Sequence, residues 1–506
     1  MEPTPAPTNH PSWFTPGVIG AIGVALVASA VRVAVAIGQP HGLYFPDSWC
    51  YIIDRPGAPC MAHDPAMGWF WAVGTLGTRS AESVLWLQAV LGVATALILY
   101  RTLLILTRTR WAVAGASLFA VLPVQLLLER TFLTETFETF ALVVGLLAAV
   151  NAFRTDGPWR AFLWTTVAGA SMGCALAVHT AFLAPGLISG AVLVILVVRR
   201  QWRRTSARAV FMGGVSTVMV LGLLLPAAPE AVRYHDWFGV WTTNVSQGTF
   251  LLTRWAPLVS CHVPEDSTPR ARAEIRAACK VNSFGAPPGI TQWMTWTSPF
   301  TYSLTTRYDV KHEQVARTES QLQAVAIAGI MSHRRAFAGQ MLASLGWQLV
   351  GAPNDDLWQY RSPRLDRFIS PWAVVFPNFS QWFGPKGIPA DRPEDPQLIR
   401  AAAGTTRAGQ VLLWTVLVAG SWRLVRRRRI KKPWFPRLTP RTSMGWLTAT
   451  MIASSMLAVA FGTYPVFRYW SPIMPALIVL CALALTRPKA ERLDPAGEVS
   501  ARSVSA

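Results

Sequence analysis

Residues 17–37 read GVIGAIGVALVASAVRVAVAI, with one charge, Arg32. At 1.5 Å per residue a helix of this length crosses the ~30 Å hydrocarbon layer of a bilayer. Nine more apolar runs of comparable length follow, near 83–107, 111–128, 132–152, 161–179, 181–198, 210–228, 408–424, 443–461 and 471–486. The chain therefore reads as an all-α polytopic membrane protein of about ten transmembrane helices. Composition agrees, since 52% of the 506 residues are hydrophobic and only 14% are charged, a balance that soluble domains do not show. The first run is long for a signal peptide and no small-residue cleavage site is evident, so it is expected to be a retained anchor.

The net charge of +20 does not indicate nucleic acid, because much of the excess lies in short clusters beside apolar runs. Such clusters mark cytoplasmic loops facing anionic lipid. Arg108 with Arg110, Arg154 with Arg160, 199–208, 423–437 and 487–492 all fall on one side if the N-terminus is cytoplasmic. The outward segments are then 38–82, turns at Glu129–Thr136 and at His179, the long stretch 229–407, and 462–471. Five units follow: a disordered tail 1–16, a membrane module 17–228 with first outward loop 38–82, an exoplasmic domain of mixed structure at 229–407, membrane helices 408–487, and a cytoplasmic tail 488–506. Within the long stretch, 321–349 has the apolar spacing of an amphipathic helix on the membrane or the domain. A buried soluble helix is the alternative. Met67–Gly77 reads as an interfacial segment, and the close pair of runs around His179 and Pro185 could be one broken helix.

Four of the six cysteines fall in outward segments. Cys50 and Cys60 share the first loop and Cys261 and Cys279 the long one, so two local disulfides are expected on an oxidising side. Four free thiols are the alternative.

Polar groups gather at the outward ends of the runs. Asp47, in the stretch YFPDSWCY at 44–51, follows the first run, and Glu129, Arg130, Glu135 and Glu138 sit between the third and fourth. His179 ends the fifth run, Arg233 with Tyr234 follows the seventh, and Arg468 with Tyr469 precedes the last. A carboxylate that takes a proton from an acceptor hydroxyl is the general base of a glycosyl transfer. Guanidinium groups stabilise a departing lipid phosphate. Asp47 and Glu135 are accordingly the catalytic candidates, and Arg468, Tyr469, Arg233 and His179 the phosphate-binding ones. A divalent cation, if one is used, would rest on Asp47 and Glu135. Helix capping is the plain alternative for both acids, and interfacial anchoring for the Arg-Tyr pairs.

These residues resemble, in order along the chain, the motifs of the GT-C class of membrane glycosyltransferases, especially bacterial protein-mannosyltransferase and aminoarabinose-transferase relatives. Asp47-Ser48 with Tyr51 resembles the acidic motif of the first exoplasmic loop, and Pro123 with Leu133-Thr134-Glu135 the family's Pro, Ser/Thr-Glu pattern. Arg468-Tyr469 through Pro475 resembles its ending. The chain departs from the common pattern at Ser48 and at His179-Thr180. The resemblance implies inverting transfer of one sugar from a polyprenyl-phosphate donor to a glycan, lipid or protein acceptor, at the outer face of the inner (plasma) membrane, with Asp47 as base. Membrane lipids are the other implied partners and nucleic acid is not one. The competing reading is a transporter or lipid flippase, which would line a path through the bilayer with polar groups. Arg32 and Arg101 speak for it, unless they merely snorkel.

Overall fold

The computed structural model describes residues 15–38, 73–74, 81–132, 134–179, 182–202, 207–259, 261–282, 312–350, 401, 407–419, 439–462 and 470–486. Asp47, Cys50, Cys60, Arg468, Tyr469, nearly all of 67–77, residues 1–14 and the C-terminal tail 488–506 lie outside them. Among the described residues there is no strand, and the elements are helices α1 (Pro16–Gly38), α2 (Ala81–Leu106), α3 (Thr109–Ala120), α4 (Pro123–Glu129), α5 (Glu135–Arg154), α6 (Pro158–Val178), α7 (Leu183–Gln201), α8 (Arg208–Leu224), α9 (Ala228–Phe238), α10 (Gln247–Trp255), α11 (Pro269–Asn282), α12 (His312–Ser332) and α13 (Arg334–Val350). They continue with α14 (Arg407–Ala419), α15 (Pro440–Gly462) and α16 (Trp470–Leu485).

Seven of these helical runs are long and apolar enough to cross a membrane: α1, α2, α5, α6, α7, α8 continued into α9, and α15. Helices α3 and α4 pass the same test only together, and α14 and α16 are shorter apolar helices. All ten expected runs thus coincide with helical segments. The close pair of runs around His179 and Pro185 forms two separate helices, α6 and α7, as assigned, and not the one broken helix that was the alternative. The broken one is the third run, where α3 and α4 meet at 51°. The cause is local: a residue before proline is driven out of the α region, and Leu122, before Pro123, is extended at φ −63°, ψ 119°.

Helix α5 is the centre of the bundle. Its apolar window is 72% buried, against 22% for α1, whose exposed Val18, Ile19, Ile22 and Leu26 leave an apolar face outward, as lipid contact requires. Helices α6 and α8 cross closely at small residues, Gly169 and Gly173 against Gly222, a pattern that lets backbones approach in membranes. A Cβ at Gly222 would stand 2.8 Å from the Ala170 amide nitrogen and 2.9 Å from the Gly169 carbonyl carbon, too close to accommodate without moving backbone. Gly222→Val is therefore expected to cost at least ~1–3 kcal/mol by overpacking, read as a lowered Tm in detergent, whereas Gly213→Val, with open space around it, should leave Tm within a degree or two.

The helix ends alternate between two poles. At one, Arg441 of α15 donates from Nη1 to the Leu106 carbonyl (2.8 Å) and from Nη2 to those of Leu483 (2.8 Å) and Thr486 (2.6 Å), satisfying carbonyls that the ends of α2 and α16 leave without helical partners. Arg154, Arg199, Arg200 and Arg208 lie at this pole by their places on α5, α7 and α8. The other pole collects the polar residues described in the next section.

The regular elements in the described part of 229–407 are all helices. Helices α10, α11 and α12 enclose a small core of Leu252, Ala271, Ile275, Leu322 and Val325, and Cys261 and Cys279, whose Cα atoms are 5.6 Å apart, are joined in a disulfide. The single helix expected at 321–349 is two, interrupted at His333. Its first half belongs to this small core; its second, α13, packs along α14 and α15, where Gln348 Nε2 donates to Met456 O (3.0 Å) and Gln410 Nε2 to Gln348 O (3.0 Å). The basic cluster 333–335 thus marks a junction rather than the polar face of one continuous helix.

Candidate functional site

Two buried polar constellations sit at the pole where α1 ends and α16 begins. The first starts with Arg32. Far from snorkelling to a surface, its side chain is 3% exposed and its Nη2 donates to Glu129 Oε1 at 2.6 Å. Its Nη1 donates to the carbonyls of Ala28 (3.0 Å) and Ala120 (3.3 Å). The second of these carbonyls lies just before the α3–α4 bend, so the break that Pro123 imposes also supplies an acceptor. Glu129, expected in an outward turn, is instead carried into the bundle by α4. Its Oε1 also accepts from Gln125 Nε2 (3.0 Å), and Gln125 Oε1 accepts from Ser471 Oγ (2.7 Å). A chain Arg32–Glu129–Gln125–Ser471 therefore ties α1, through α4, to the first turn of α16. A charge in a low-dielectric interior is tolerated when paired and hydrogen-bonded; the two charges are paired, with Arg32 Nη1 and Nη2 and Glu129 Oε1 hydrogen-bonded while Arg32 Nε and Glu129 Oε2 are not. Gly92 of α2 lies against it, and a Cβ there would overlap the Glu129 carboxylate and the Arg32 guanidinium.

The second constellation joins α5 to α6. Helix α5 opens with four buried polar residues, Glu135, Thr136, Glu138 and Thr139. Glu135 is 2% exposed at the helix start, where a carboxylate also faces the positive end of the helix dipole. The acid that meets His179 is Glu138, one turn on, with its Oε2 2.9 Å from His179 Nδ1. His179 terminates α6 in an extended conformation (φ −153°, ψ 101°), which swings the ring off the helix toward α5. The pair lines a small open cleft of about 40 Å³ whose walls are otherwise nearly all apolar, among them Leu142, Phe182, Met451, Val459 and Ile473. Pro472 and Ile473 in that wall follow Ser471 directly, so the two constellations share the start of α16.

Of the sequence candidates, His179 and Glu135 lie at this pole, and Arg233 is half-buried on α9 and does not line the cleft. Glu138 was one member of a polar group in the sequence and Ser471 falls inside the stretch 468–475, but neither was singled out, and Gln125 gave no signal. Arg32 and Glu129 could have been paired from sequence as the opposite charges of two apolar runs. Among the described residues no three His, Cys, Asp or Glu side chains gather as a metal site, and Glu138 with His179 supplies only two donors already in mutual contact. Glu138 and His179 alone do not make a cation site, and Asp47, expected to share one with Glu135, lies outside the described residues.

Many helices with lipid-facing apolar surfaces, around polar groups gathered at one pole, define an all-α, multi-pass membrane protein. No family model matches the chain and no curated protein does. Among solved structures it is similar to the archaeal oligosaccharyltransferase AglB from Archaeoglobus fulgidus in complex with an inhibitory peptide and a dolichol-phosphate, at 14% identity and TM-score 0.35, over 92% of this chain and 46% of that one. It is similar also to the Archaeoglobus fulgidus oligosaccharyltransferase complex with Zn and sulfate (15%, TM-score 0.34, 89% and 53%), and to ArnT from Cupriavidus metallidurans bound to undecaprenyl phosphate (16%, TM-score 0.31, 92% and 77%). The chain spans about half the length of the oligosaccharyltransferases.

Proposed function

We propose that this protein is a membrane glycosyltransferase of the GT-C kind, moving a sugar from a polyprenyl-phosphate donor to an acceptor hydroxyl or amine with inversion. The observation that carries the reading is the cleft: nearly all apolar along its walls and closed at its head by Glu138 and His179. The lining suits the head of an amphiphile, its anionic group at the Glu138–His179 pair and the first carbons of its tail on the apolar wall, with the rest of the tail left in the bilayer. With Nδ1 held by the Glu138 carboxylate, the ring is oriented so that Nε2 is the nitrogen that would donate to a phosphate oxygen. The departing phosphate gains charge as the glycosidic bond breaks, and Arg468, Tyr469 and Arg233 are the further groups assigned to stabilise it. Asp47 takes the acceptor proton, and Glu135 supports it. The buried chain from Arg32 to Ser471 favours this assignment, because it holds the helix preceding the Asp47 segment and the helix following Arg468 to one framework. No step is assigned to a cation.

The orientation proposed places both termini in the cytoplasm and the site outside. It is supported by the arginines at the opposite pole and by the Cys261–Cys279 disulfide, which an oxidising compartment would keep.

The test is direct. Purified protein in nanodiscs is given radiolabelled polyprenyl-phosphate mannose or arabinose with membrane extracts as acceptor source, and label should pass to an acceptor. Label that stays on the lipid for every sugar tried, while the lipid itself changes leaflet in proteoliposomes, would replace the transferase with a flippase. His179→Ala is expected to remove a charge-assisted hydrogen bond of about 1.5–3 kcal/mol, lowering kcat/KM by ~10- to 150-fold, while Glu138→Gln, which keeps a hydrogen-bonding partner for the ring, should lose less.

A further inference from the structure

Away from the cleft, two carboxylates are buried against one hydroxyl. Thr249, in the first turn of α10, donates its backbone N–H to Glu319 Oε2 of α12 (2.8 Å) and its Oγ1–H to Glu319 Oε1 (2.7 Å). The same Oγ1 lies 3.3 Å from Glu274 Oε2 of α11. Both acids are buried, Glu274 6% and Glu319 5% exposed. A threonine hydroxyl has one proton to give, and the shorter contact with Glu319 takes it. The Thr249–Glu274 contact is then a hydrogen bond only if Glu274 brings a proton of its own and Thr249 accepts it. The charged groups facing Glu274 are Glu319 from α12 and Arg270 from its own helix, with Nε 3.4 Å from Glu274 Oε1; α10 presents only Thr249. One cation at that distance does not neutralise two buried carboxylates.

We infer that Glu274, Thr249 and Glu319 form a proton-held latch that closes α10, α11 and α12 on one another while the pair of acids keeps one proton, and loosens when both acids ionise. Helix α10 carries the consequence to the bundle. At its other end Arg254 Nη2 donates to Ala460 O (2.9 Å) and Trp255 Nε1 to Phe461 O (3.1 Å), capping the last turn of α15. Trp255 is also packed on Phe337 and Phe461 with ring centroids 4.7 and 6.1 Å apart. The latch and the cap are the two ends of one nine-residue helix, so the ionisation state of the acids sets how firmly the end of α15 is held. Burial first, then the neighbouring Glu319, pushes the Glu274 carboxyl up from 4.5 to about 7; burial likewise raises Glu319, against the Thr249 bonds that lower it. A raised carboxyl stabilises the closed form below its unfolded value and loses that contribution as pH climbs through about 7. This inference stands apart from the transferase reading.

Hydrogen exchange on the full chain in nanodiscs, corrected for the intrinsic dependence of exchange on pH, tests it. Peptides covering Gln247–Trp255 and the end of α15 should both lose protection, roughly 10- to 100-fold, between pH 5.5 and 8. Glu274→Gln, whose amide can donate to Thr249 at any pH, should keep the protection at pH 8. If that variant does not fold, Glu319→Gln serves, since it leaves one carboxylate where there were two and should also flatten the profile. Wild-type protection that is flat with pH, a variant that follows the wild-type curve, or loss confined to α10 with the end of α15 unchanged would each overturn the latch.

Discussion

Glu129→Leu is expected to lower the stability of the protein by about 3–5 kcal/mol, and Arg32→Met by a similar amount, because either change leaves the other charge buried without its counter-ion. Arg32 would keep only the carbonyls of Ala28 and Ala120, which satisfy hydrogen bonds without neutralising charge. Glu129 would keep Gln125 and the weaker attraction of neighbouring Arg130, but lose its directly hydrogen-bonded cation. The double variant Arg32→Met/Glu129→Leu should recover most of the loss, since apolar side chains of similar volume replace buried ion pairs at little cost. Thermal unfolding in one detergent, with all four proteins compared, gives the coupling directly. Single variants within about 1 kcal/mol of wild type would show that the pair carries no buried charge, and with it would fall the tie between α1 and α16.

Asp47→Asn is expected to slow transfer by ~10²–10⁴-fold, the usual loss when a general base is removed, while donor binding persists. Asparagine keeps the size and one acceptor oxygen of the carboxylate but takes no proton at neutral pH. The measurement pairs a transfer rate with equilibrium binding of the labelled lipid to the same sample. Transfer within fivefold of wild type would remove Asp47 from the base role, and loss of binding together with activity would point to a folding or donor-site defect instead. The parallel Glu135→Gln should cost less, since that acid is assigned a supporting role.

The helices were legible because hydrophobic transfer is a local and nearly additive property of a run of residues. Any window of about twenty apolar residues reports it, and each of the ten runs coincides with a helical segment. The bend between α3 and α4 was also written locally, in Leu122-Pro123, yet the apolar run continued smoothly through it. Hydropathy does not register a change of direction. The division of 321–349 at His333 was hidden in the same way, since both halves carry helical spacing and only their different neighbours separate them.

The polar pole shows where reading along the chain stops. Glu135 and Glu138 stand one turn apart on α5, and composition gives no reason to prefer either. The extended conformation of His179 brings its ring to Glu138. Arg32 and Glu129 each look, within their own runs, like an interfacial residue or a cost; 97 positions apart, they remove one another's cost. Glu274 and Glu319 likewise read as ordinary charges on amphipathic helices until α10 brings one hydroxyl between them.

By itself the sequence determined that this is a multi-pass helical membrane protein, which end of each run is polar, and which residue types could serve a phosphate-linked donor. Those properties depend on each segment meeting its solvent. The tertiary structure alone decided the partners: Arg32 with Glu129, Glu138 with His179, Glu274 with Glu319 through Thr249. A buried charge is stable only beside a specific atom within about 3 Å, and which atom that is depends on how helices far apart in sequence cross.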